Sequence, residues 1–377
     1  MDVLHEPFQE QLSTGCAGYL FANSKEGPMN DKRRLYSPVV YCTLTALFLF
    51  MFLLSSASQV SAAPFYKGKM IRLVVGFPPG GGFDTFARLL ARHMPRYLPG
   101  KPRMIVQNMP GAGSLVATNR VYTMPGDGLT IVTFQFSMVV QALVDTPGVR
   151  FDPRKYIWLG HPSLGALPEV LWIRSELPIR NLADLKRRKE PLNIGASSRG
   201  TSGSLAGELL RAVGLPVKNI YGYKGSAPTM AALERKEIDA RVLPQDTMQG
   251  TYRRYIDENI VRPIFALGKE PRLKPIPGIA TLEDLTLTEE LRKLAEFITS
   301  TWTLLRPFAV PPGTPPEQVR LLREAFMKAM KSPQLVKDAK RQGVIIVPTS
   351  GEEVEAIVAR LYQTPPAILE KYKKFAE

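Results

Sequence analysis

The sequence predicts an α/β fold, and three observations support this prediction. Apolar runs of strand length alternate with helical patterns through most of the chain after residue 70. A second set of such units begins near Glu169 and repeats the opening pattern. About 315 residues follow the N-terminal apolar segment, which is enough for two domains of ordinary size. Because strands and helices alternate, we expect parallel sheets covered by helices.

The opening unit is an apolar strand that leads through a glycine-rich loop into a helix. The strand is Ile71–Val75, and the segment Phe77–Thr85, here called the first loop, contains Gly80, Gly81 and Gly82. Glycines let the backbone approach a ligand closely, and the first amides of a helix lack intrahelical partners. These amides also form the positive end of the helix dipole, so the unit predicts an anion-binding cradle.

The expected anion is a carboxylate rather than a nucleotide phosphate. No Gly-Lys-Ser/Thr follows the three glycines, and their spacing is not that of a dinucleotide site. Asp84 is predicted to cap the following helix, because aspartate at such a position satisfies the free amides.

The next units continue the alternation. We expect Pro95 to end the first helix, and we predict a strand over Met104–Val106, a helix over Leu115–Tyr122 and a strand over Leu129–Phe134.

The second set of units contains a loop that matches the first in position. Val170–Ile173 is a predicted strand, and Asn181 is the predicted N-cap of a helix over residues 182–189. Leu192–Gly195 is a further strand, and it opens into Ser197–Ser204, here called the second loop. Hydroxyl residues replace the prolines of the first loop, and a helix follows.

Helix signals mark the C-terminal third. Thr314 is the predicted N-cap of a helix with proline at its start, and Ser332–Pro333 opens the next helix. Val344–Val347 is a predicted strand, and Ser350 begins a predicted capping box.

The N-terminal segment predicts export. Lys32–Arg34 precedes the uncharged apolar run Val39–Leu54, and small residues lead to a predicted cleavage site near Ala62. The alternative is an uncleaved membrane anchor, although the run is just shorter than a bilayer span. Met29 is an alternative start of the protein, because it stands directly before the basic residues.

Composition excludes several other classes of function. Both cysteines, Cys16 and Cys42, precede the cleavage site, so the exported protein has no disulfide and no cysteine metal site. The net charge of +15 is dispersed rather than gathered with aromatic residues, which disfavours nucleic-acid binding. His93 and His161 have no acidic residue or second histidine at ligand spacing, which disfavours a metal site. So few histidines also make a serine hydrolase triad improbable, and no cofactor is expected. The three tryptophans are expected in the core.

Five motifs in order resemble the extracytoplasmic receptors of tripartite tricarboxylate transporters, the Bug family. They cover nearly the whole exported chain. The motifs are Gly76–Thr85 with Arg88, Val106–Gly113, Gly126–Thr130, Tyr223–Pro228 and Ala309–Pro316.

The resemblance implies a periplasmic-binding-protein-like (type II) fold whose two domains close on a ligand in the cleft between them. The expected domains are residues 63–166 with 300–377, and residues 167–299, after an extension and signal peptide at 1–62. It also implies that backbone amides and waters of the first and second loops hold the ligand's carboxylate. The expected ligand-binding residues are Phe77, Pro78, Gly80, Gly81, Gly82, Asp84, Thr85, Gln135, Ser197, Ser198, Thr201, Ser202, Tyr223, Lys224 and Asp246.

Two cations have alternative roles. Lys224 would face a second carboxylate of the ligand, or it is an exposed structural lysine. Arg199 would pair with a carboxylate in bidentate fashion, or it points to solvent.

The resulting prediction is a monomeric periplasmic receptor, not an enzyme. It would bind a small organic acid, deliver it to integral membrane permease subunits, and use no cofactor. The alternatives are an α/β enzyme that acts on a carboxylated metabolite and a sensor subunit with the same fold.

Overall fold

The computed structural model describes residues 64–163, 168–267, 276 and 278–376. The predicted signal, its cleavage site and both cysteines lie outside these residues. Within the described ranges, none of the helices combines the length and apolar character that a bilayer span requires.

Strands and helices alternate along the described chain. The strands are β1 (Met70–Val75), β2 (Arg103–Asn108), β3 (Thr130–Thr133), β4 (Ile157–His161), β5 (Glu169–Arg174), β6 (Leu192–Gly195), β7 (Val217–Ile220), β8 (Ala240–Pro244), β9 (Val261–Leu267), β10 (Ala280–Thr281), β11 (Phe308–Val310) and β12 (Thr349–Ser350). The α-helices are α1 (Gly82–His93), α2 (Leu115–Tyr122), α3 (Ser137–Leu143), α4 (Leu182–Lys186), α5 (Ser202–Ala212), α6 (Ser226–Glu234), α7 (Gln245–Gln249), α8 (Arg253–Asp257), α9 (Glu289–Thr301), α10 (Pro316–Met330), α11 (Pro333–Arg341), α12 (Gly351–Leu361) and α13 (Pro366–Ala376). Short 3₁₀ helices are Met94–Tyr97, Ala112–Ser114, Leu282–Asp284 and Trp302–Leu304.

The described strands form two sheets. The first sheet has the order β12-β4-β11-β3-β1-β2, and the second has the order β10-β9-β5-β8-β6-β7. In the first sheet β1 is parallel to β2 and β3, whereas β11 is antiparallel to both β3 and β4. In the second sheet β6 is parallel to β7 and β8, whereas β5 is antiparallel to β8 and β9. Both sheets are therefore mixed, and the prediction of wholly parallel sheets is wrong.

Burial explains the apolar strand sequences. Every residue of β3 is buried, as is nearly all of β5, because helices cover both faces of the central strands. The edge strand β2 instead alternates between exposed and half-buried positions. Trp158 and Trp172 are each 1% exposed and Trp302 is 6% exposed, which confirms that the tryptophans belong to the core.

Local helix signals were predicted well. Helix α2 has the predicted bounds, the Asn181 side chain accepts from the Asp184 amide, and Ser350 forms its capping box with Glu353. Helix α1 ends at His93, directly before the 3₁₀ turn that contains Pro95. Each of these signals acts within about one helical turn, so the sequence alone is sufficient to find it.

Three local predictions are corrected. Pro315, not Thr314, is the N-cap of α10, because the Thr314 hydroxyl donates to the Pro311 carbonyl instead. Val344–Val347 is not a strand: Val347 makes an isolated bridge to Ser163, and the pairing of this region is made by β12. Helix α4 ends at Lys186, three residues earlier than predicted.

The C-terminal helix α13 packs with the second sheet. Its Tyr372 is fully buried in the apolar cluster that contains residues of β5, β6 and β8. The ring of Tyr372 meets that of Phe297 on α9 edge to face at 5.6 Å. The end of the chain therefore returns to the side of the molecule on which the second loop lies.

Candidate functional site

The first loop connects β1 to α1 as predicted. Gly81 is the N-cap in extended backbone, and Gly80 has φ +80°, a left-handed conformation that favours glycine. Phe77 is buried, and its ring lies 4.5 Å from that of Phe83. The loop is thus anchored by an aromatic pair, and of its three glycines Gly80 is exposed whereas Gly81 and Gly82 are buried.

Asp84 holds the first loop in shape. Its Oδ2 accepts from the Gly80 amide at 3.1 Å and from Arg88 Nε at 2.8 Å. Its Oδ1 accepts from Asn108 Nδ2 at 2.9 Å, and the same amide donates to the Phe77 carbonyl. Burial raises the pKa of Asp84, but the hydrogen bonds from Arg88, Asn108 and Gly80 outweigh it and lower the pKa overall.

The predicted N-cap role of Asp84 is therefore wrong. The N-cap is Gly81, three residues earlier, and Asp84 is the third helical residue, whose carboxylate reaches back to the Gly80 amide. One amide of the cradle is thus already bonded within the protein.

The second loop leads from β6 into α5 in the same way. Thr201 is the N-cap in extended backbone, and Ser202 is the first residue of an 11-residue helix. The Thr201 hydroxyl donates to the Ser198 carbonyl at 2.8 Å, and the Ser204 hydroxyl donates to the Thr201 carbonyl at 3.0 Å. Ser197 is half-buried. Hydroxyl groups therefore fold this loop, as aspartate does in the first.

The second loop touches elements of the first sheet. Gly113 follows β2, and a β-carbon added there would lie 2.4 Å from Ser198 Oγ and 2.7 Å from Thr201 Cγ2. Gln141 on α3 donates from Nε2 to the Gly200 carbonyl at 3.2 Å.

The first loop touches elements of the second sheet. The Tyr252 hydroxyl donates to the Gly80 carbonyl at 2.7 Å, and the hydroxyls of Thr85 and Thr251 lie 3.3 Å apart. A β-carbon on Gly225 would lie 2.8 Å from the Pro78 ring. Each loop is thus in contact with the side of the molecule opposite to its own.

The remaining predicted residues differ in their surroundings. Gln135 is buried just after β3, and its backbone N–H donates to Ser114 Oγ at 3.1 Å. Tyr223 is half-buried against Gly195, whereas Lys224 is exposed.

Asp246 is engaged in a buried ion pair. Arg306 Nη1 donates to Asp246 Oδ2 at 3.1 Å, and Arg306 Nη2 donates to Thr247 Oγ1 at 2.6 Å. The Asp246 side chain is 1% exposed and that of Arg306 is 4% exposed. Arg306 precedes β11 of the first sheet and Asp246 follows β8 of the second, so the pair joins the two sheets.

Arg306 is the main residue that the sequence did not reveal. Its guanidinium lies 5.5 Å from the Phe83 ring and 5.0 Å from the Phe86 ring. A β-carbon on Gly82 would lie 2.9 Å from its Nη2. The Arg306 guanidinium, held by Asp246, therefore packs against the first turn of α1.

A second buried arginine supports the second loop. Arg241 Nη1 donates to the Gly195 carbonyl at 2.6 Å. Burial raises the pKa of Glu169 at the start of β5. Ser202 and the Arg241 and Arg306 guanidinium groups lower this pKa but do not outweigh the effect of burial. Each loop is therefore packed against a buried arginine, Arg306 at the first loop and Arg241 at the second.

His161 is a buried neutral imidazole at the end of β4. Burial and the Arg306 guanidinium lower its pKa to about 3. The backbone amides of Ser163 and Arg306 lie 3.0 and 3.1 Å from its two ring nitrogens. A protonated ring would present donors to both amides, so the neutral form is favoured.

We expect His161 to make the protein sensitive to acid. The unfolded histidine has a pKa of about 6.5, so below that pH the unfolded state binds a proton that the native state does not bind. Stability from this group is present above pH 6.5 and is lost as the pH falls toward 3. Between pH 8 and pH 5 the free energy of unfolding should fall by about 2 kcal/mol more in the natural protein than in His161→Gln. Urea unfolding at both pH values measures this difference, and equal losses would contradict it.

The described residues contain no group of three or more His, Cys, Asp or Glu side chains placed to hold a metal ion. His93 Nε2 lies 2.8 Å from Asp338 Oδ2, which joins α1 to α11.

Comparisons with known proteins agree on one family. The profile described as "Tripartite tricarboxylate transporter family receptor" matches residues 86–373. A UPF0065 protein of Bordetella pertussis is 30% identical over 302 residues, which cover 78% of this chain and 85% of that protein.

Solved structures show the same fold. The periplasmic binding protein BugD superposes with a TM-score of 0.65 at 21% identity, over 82% of this chain and 98% of that chain. The R. palustris protein Rpa4515 with adipate superposes with a TM-score of 0.64 at 20% identity, over 82% of this chain and 96% of that chain. The predicted two-domain, periplasmic-binding-protein-like fold is thereby confirmed.

Proposed function

Because this chain belongs to the tripartite tricarboxylate transporter family of receptors, we propose that it binds a small organic carboxylate and delivers it to the permease subunits of a membrane transporter. The observation that carries the proposal is that each loop contacts residues of the opposite sheet's side, so both loops lie where the two sides of the molecule adjoin. Each loop precedes the N-terminus of a helix, α1 with 12 residues and α5 with 11. Helix N-termini offer free amides and a positive potential to an anion.

In this proposal the first loop binds the carboxylate through its backbone. Gly80 and Gly81 leave room for the ligand, since a β-carbon added to either would lie 3.8 Å from the nearest atom. Phe77, Pro78, Asp84 and Thr85 then act by holding the loop, since their own contacts lie within the protein or across to the second sheet.

The second loop contributes hydroxyl and amide donors from the other side. Ser197, Ser198, Thr201 and Ser202 surround the start of α5, and the Ser198 hydroxyl is buried without a hydrogen-bond partner among the described residues. A ligand carboxylate would satisfy such a donor.

We assign specificity to the residues around the two loops. Lys224 is exposed and carries no ion pair within the described ranges, so it is free to meet a second carboxylate. Gln135 and Tyr223 would bound the ligand's body, whereas Asp246 would act through Arg306. The similar protein Rpa4515 was solved with adipate, which supports a dicarboxylate as the first ligand class to test.

The domains of the proposal are residues 63–166 with 300–377, and residues 167–299, which close around the ligand. Differential contact of the ligand with the closed state would shift the population toward closure. Residues 300–377 belong to the first domain of this division, but Tyr372 is buried with the second sheet. We therefore propose that α13 packs on the second domain and links the two.

The proposed location is the periplasm, after cleavage near Ala62, and the proposed activity is binding without turnover. The apolar run with its small-residue tail supports export.

A thermal-shift screen tests the proposal. The purified protein is heated with C4-dicarboxylates, adipate, citrate, aromatic acids and amino acids in turn. A true ligand stabilises the protein by RT ln(1 + [L]/Kd) and is recovered unchanged. Chemical conversion of a stabilising acid would favour the enzyme alternative, and the absence of any stabilising acid would contradict the proposal.

A further inference from the structure

A cavity lies beside the second loop. Its volume is about 240 Å³, and it is bounded by the end of α3, the second loop and the last turn of α13. Residues that line it include Gln141, Val144, Pro147, Arg199, Gly200 and Lys373. None of its described lining residues belongs to the first loop, so it is separate from the cradle at the start of α1.

The charge of this cavity is positive. Arg199 and Lys373 border it, and no acidic side chain belongs to its described lining. Neither cation forms an ion pair with any carboxylate of the described chain, whereas the neighbouring Lys371 pairs with Glu290. The Arg199 guanidinium lies 5.3 Å from the Tyr221 ring, which orients it at the rim. Two uncompensated cations at one opening attract a single anion.

The rest of the lining is largely apolar. Val144 and Pro147 come from the segment that follows α3, and Ala376 comes from α13. An apolar cavity of about 150 Å³ accepts benzene, so 240 Å³ is ample for a benzene ring with a carboxylate. The chemistry therefore fits an organic monoanion with a compact apolar body.

The cavity also spans the two sides of the molecule. Gln141 on α3 follows β3 of the first sheet, and it donates to the Gly200 carbonyl in the second loop. A ligand in this cavity would touch both partners of that bond. It would therefore stabilise the arrangement in which the second loop rests on α3.

We propose that this cavity is a second binding site, for small aromatic or short aliphatic monocarboxylates. Arg199 and Lys373 pair with the carboxylate, and the side chains of Val144, Pro147 and Ala376 receive the apolar body. The two sites share the second loop, but no described residue of the first loop lines this cavity, so a substitution in the first loop tests one site without the other.

Isothermal titration with benzoate tests this site, and benzyl alcohol serves as a neutral probe of the same shape. Arg199→Gln and Lys373→Gln should each weaken benzoate binding by about tenfold, the effect of losing one charge-assisted hydrogen bond. Lys374→Gln removes the same charge from the same helix outside the cavity and should leave binding unchanged. Ala376→Phe fills the cavity without changing its charge and should abolish binding.

Three results would overturn the proposal. The Kd expected for benzoate is about 1 mM. One contradicting result is therefore the absence of benzoate binding at about 10 mM. Another is equal weakening by Lys374→Gln. The third is benzoate binding that persists in Arg199→Gln, Lys373→Gln and Ala376→Phe but disappears in Gly81→Val. That result would assign benzoate to the cradle at α1 and leave the proposed receptor function intact. Gly81 has room for the new side chain, because an added β-carbon would lie 3.8 Å from the nearest atom.

Discussion

Replacing Arg306 by methionine is expected to lower the free energy of unfolding by about 3–5 kcal/mol, because the substitution leaves the buried Asp246 carboxylate without its counter-charge. Thr247 also loses the donor at 2.6 Å, and the start of α1 loses its support. Urea unfolding at pH 7 measures the loss.

Two further variants show whether the ion pair is the cause. Arg306→Met combined with Asp246→Leu removes both charges and should recover most of the lost stability, since a well-packed apolar pair often replaces a buried ion pair without cost. Arg320→Met removes an exposed arginine that pairs with Glu317 and Glu324, and it should change stability little. A loss in Arg306→Met no larger than in Arg320→Met would contradict the role assigned to the pair.

Replacing Gly113 by valine is expected to weaken ligand binding by at least about tenfold, because the new side chain would stand between the second loop and the first sheet. Its β-carbon alone would lie 2.4 Å from Ser198 Oγ, closer than such contacts allow. The loops would be held apart, and the ligand would lose donors from one of them. Calorimetric titration with the strongest acid from the screen measures the change.

Backbone strain needs its own control in this experiment. Gly113 has φ +62°, so valine also costs about 1–2 kcal/mol in backbone energy. Gly214 has φ +81° with no atom within 4 Å of an added β-carbon, so Gly214→Val carries the strain without the obstruction. Unchanged affinity in Gly113→Val, or equal weakening in both variants, would show that the two loops do not close together on the ligand.

Features that depend on neighbouring residues were predictable from the sequence. The two loops were found because each is a short stretch of glycine, proline or hydroxyl residues between an apolar strand and a helical pattern. Caps at Asn181 and Ser350 were found because the side chain and the amide that it bonds are three residues apart.

Features that depend on pairing between distant parts of the chain were not predictable from the sequence. Arg306 stands in an ordinary segment, and its partner Asp246 is 60 residues away in the chain. The direction of β11 was also hidden, because side-chain periodicity is the same in parallel and antiparallel strands. The role of Asp84 was misjudged because Gly81, in extended backbone, is the N-cap, so the helix begins three residues closer to the N-terminus than an Asp84 cap implies.

The central claim is that one carboxylate is bound between the first and second loops. Backbone amide NMR of the purified protein, titrated with the strongest acid from the screen, tests this claim most directly. The amides of residues 80–82 and of residues 198–202 should shift together and saturate at the same ligand concentration, because one carboxylate contacts both loops. Saturating binding that shifts the amides of only one loop, or of neither, would contradict it.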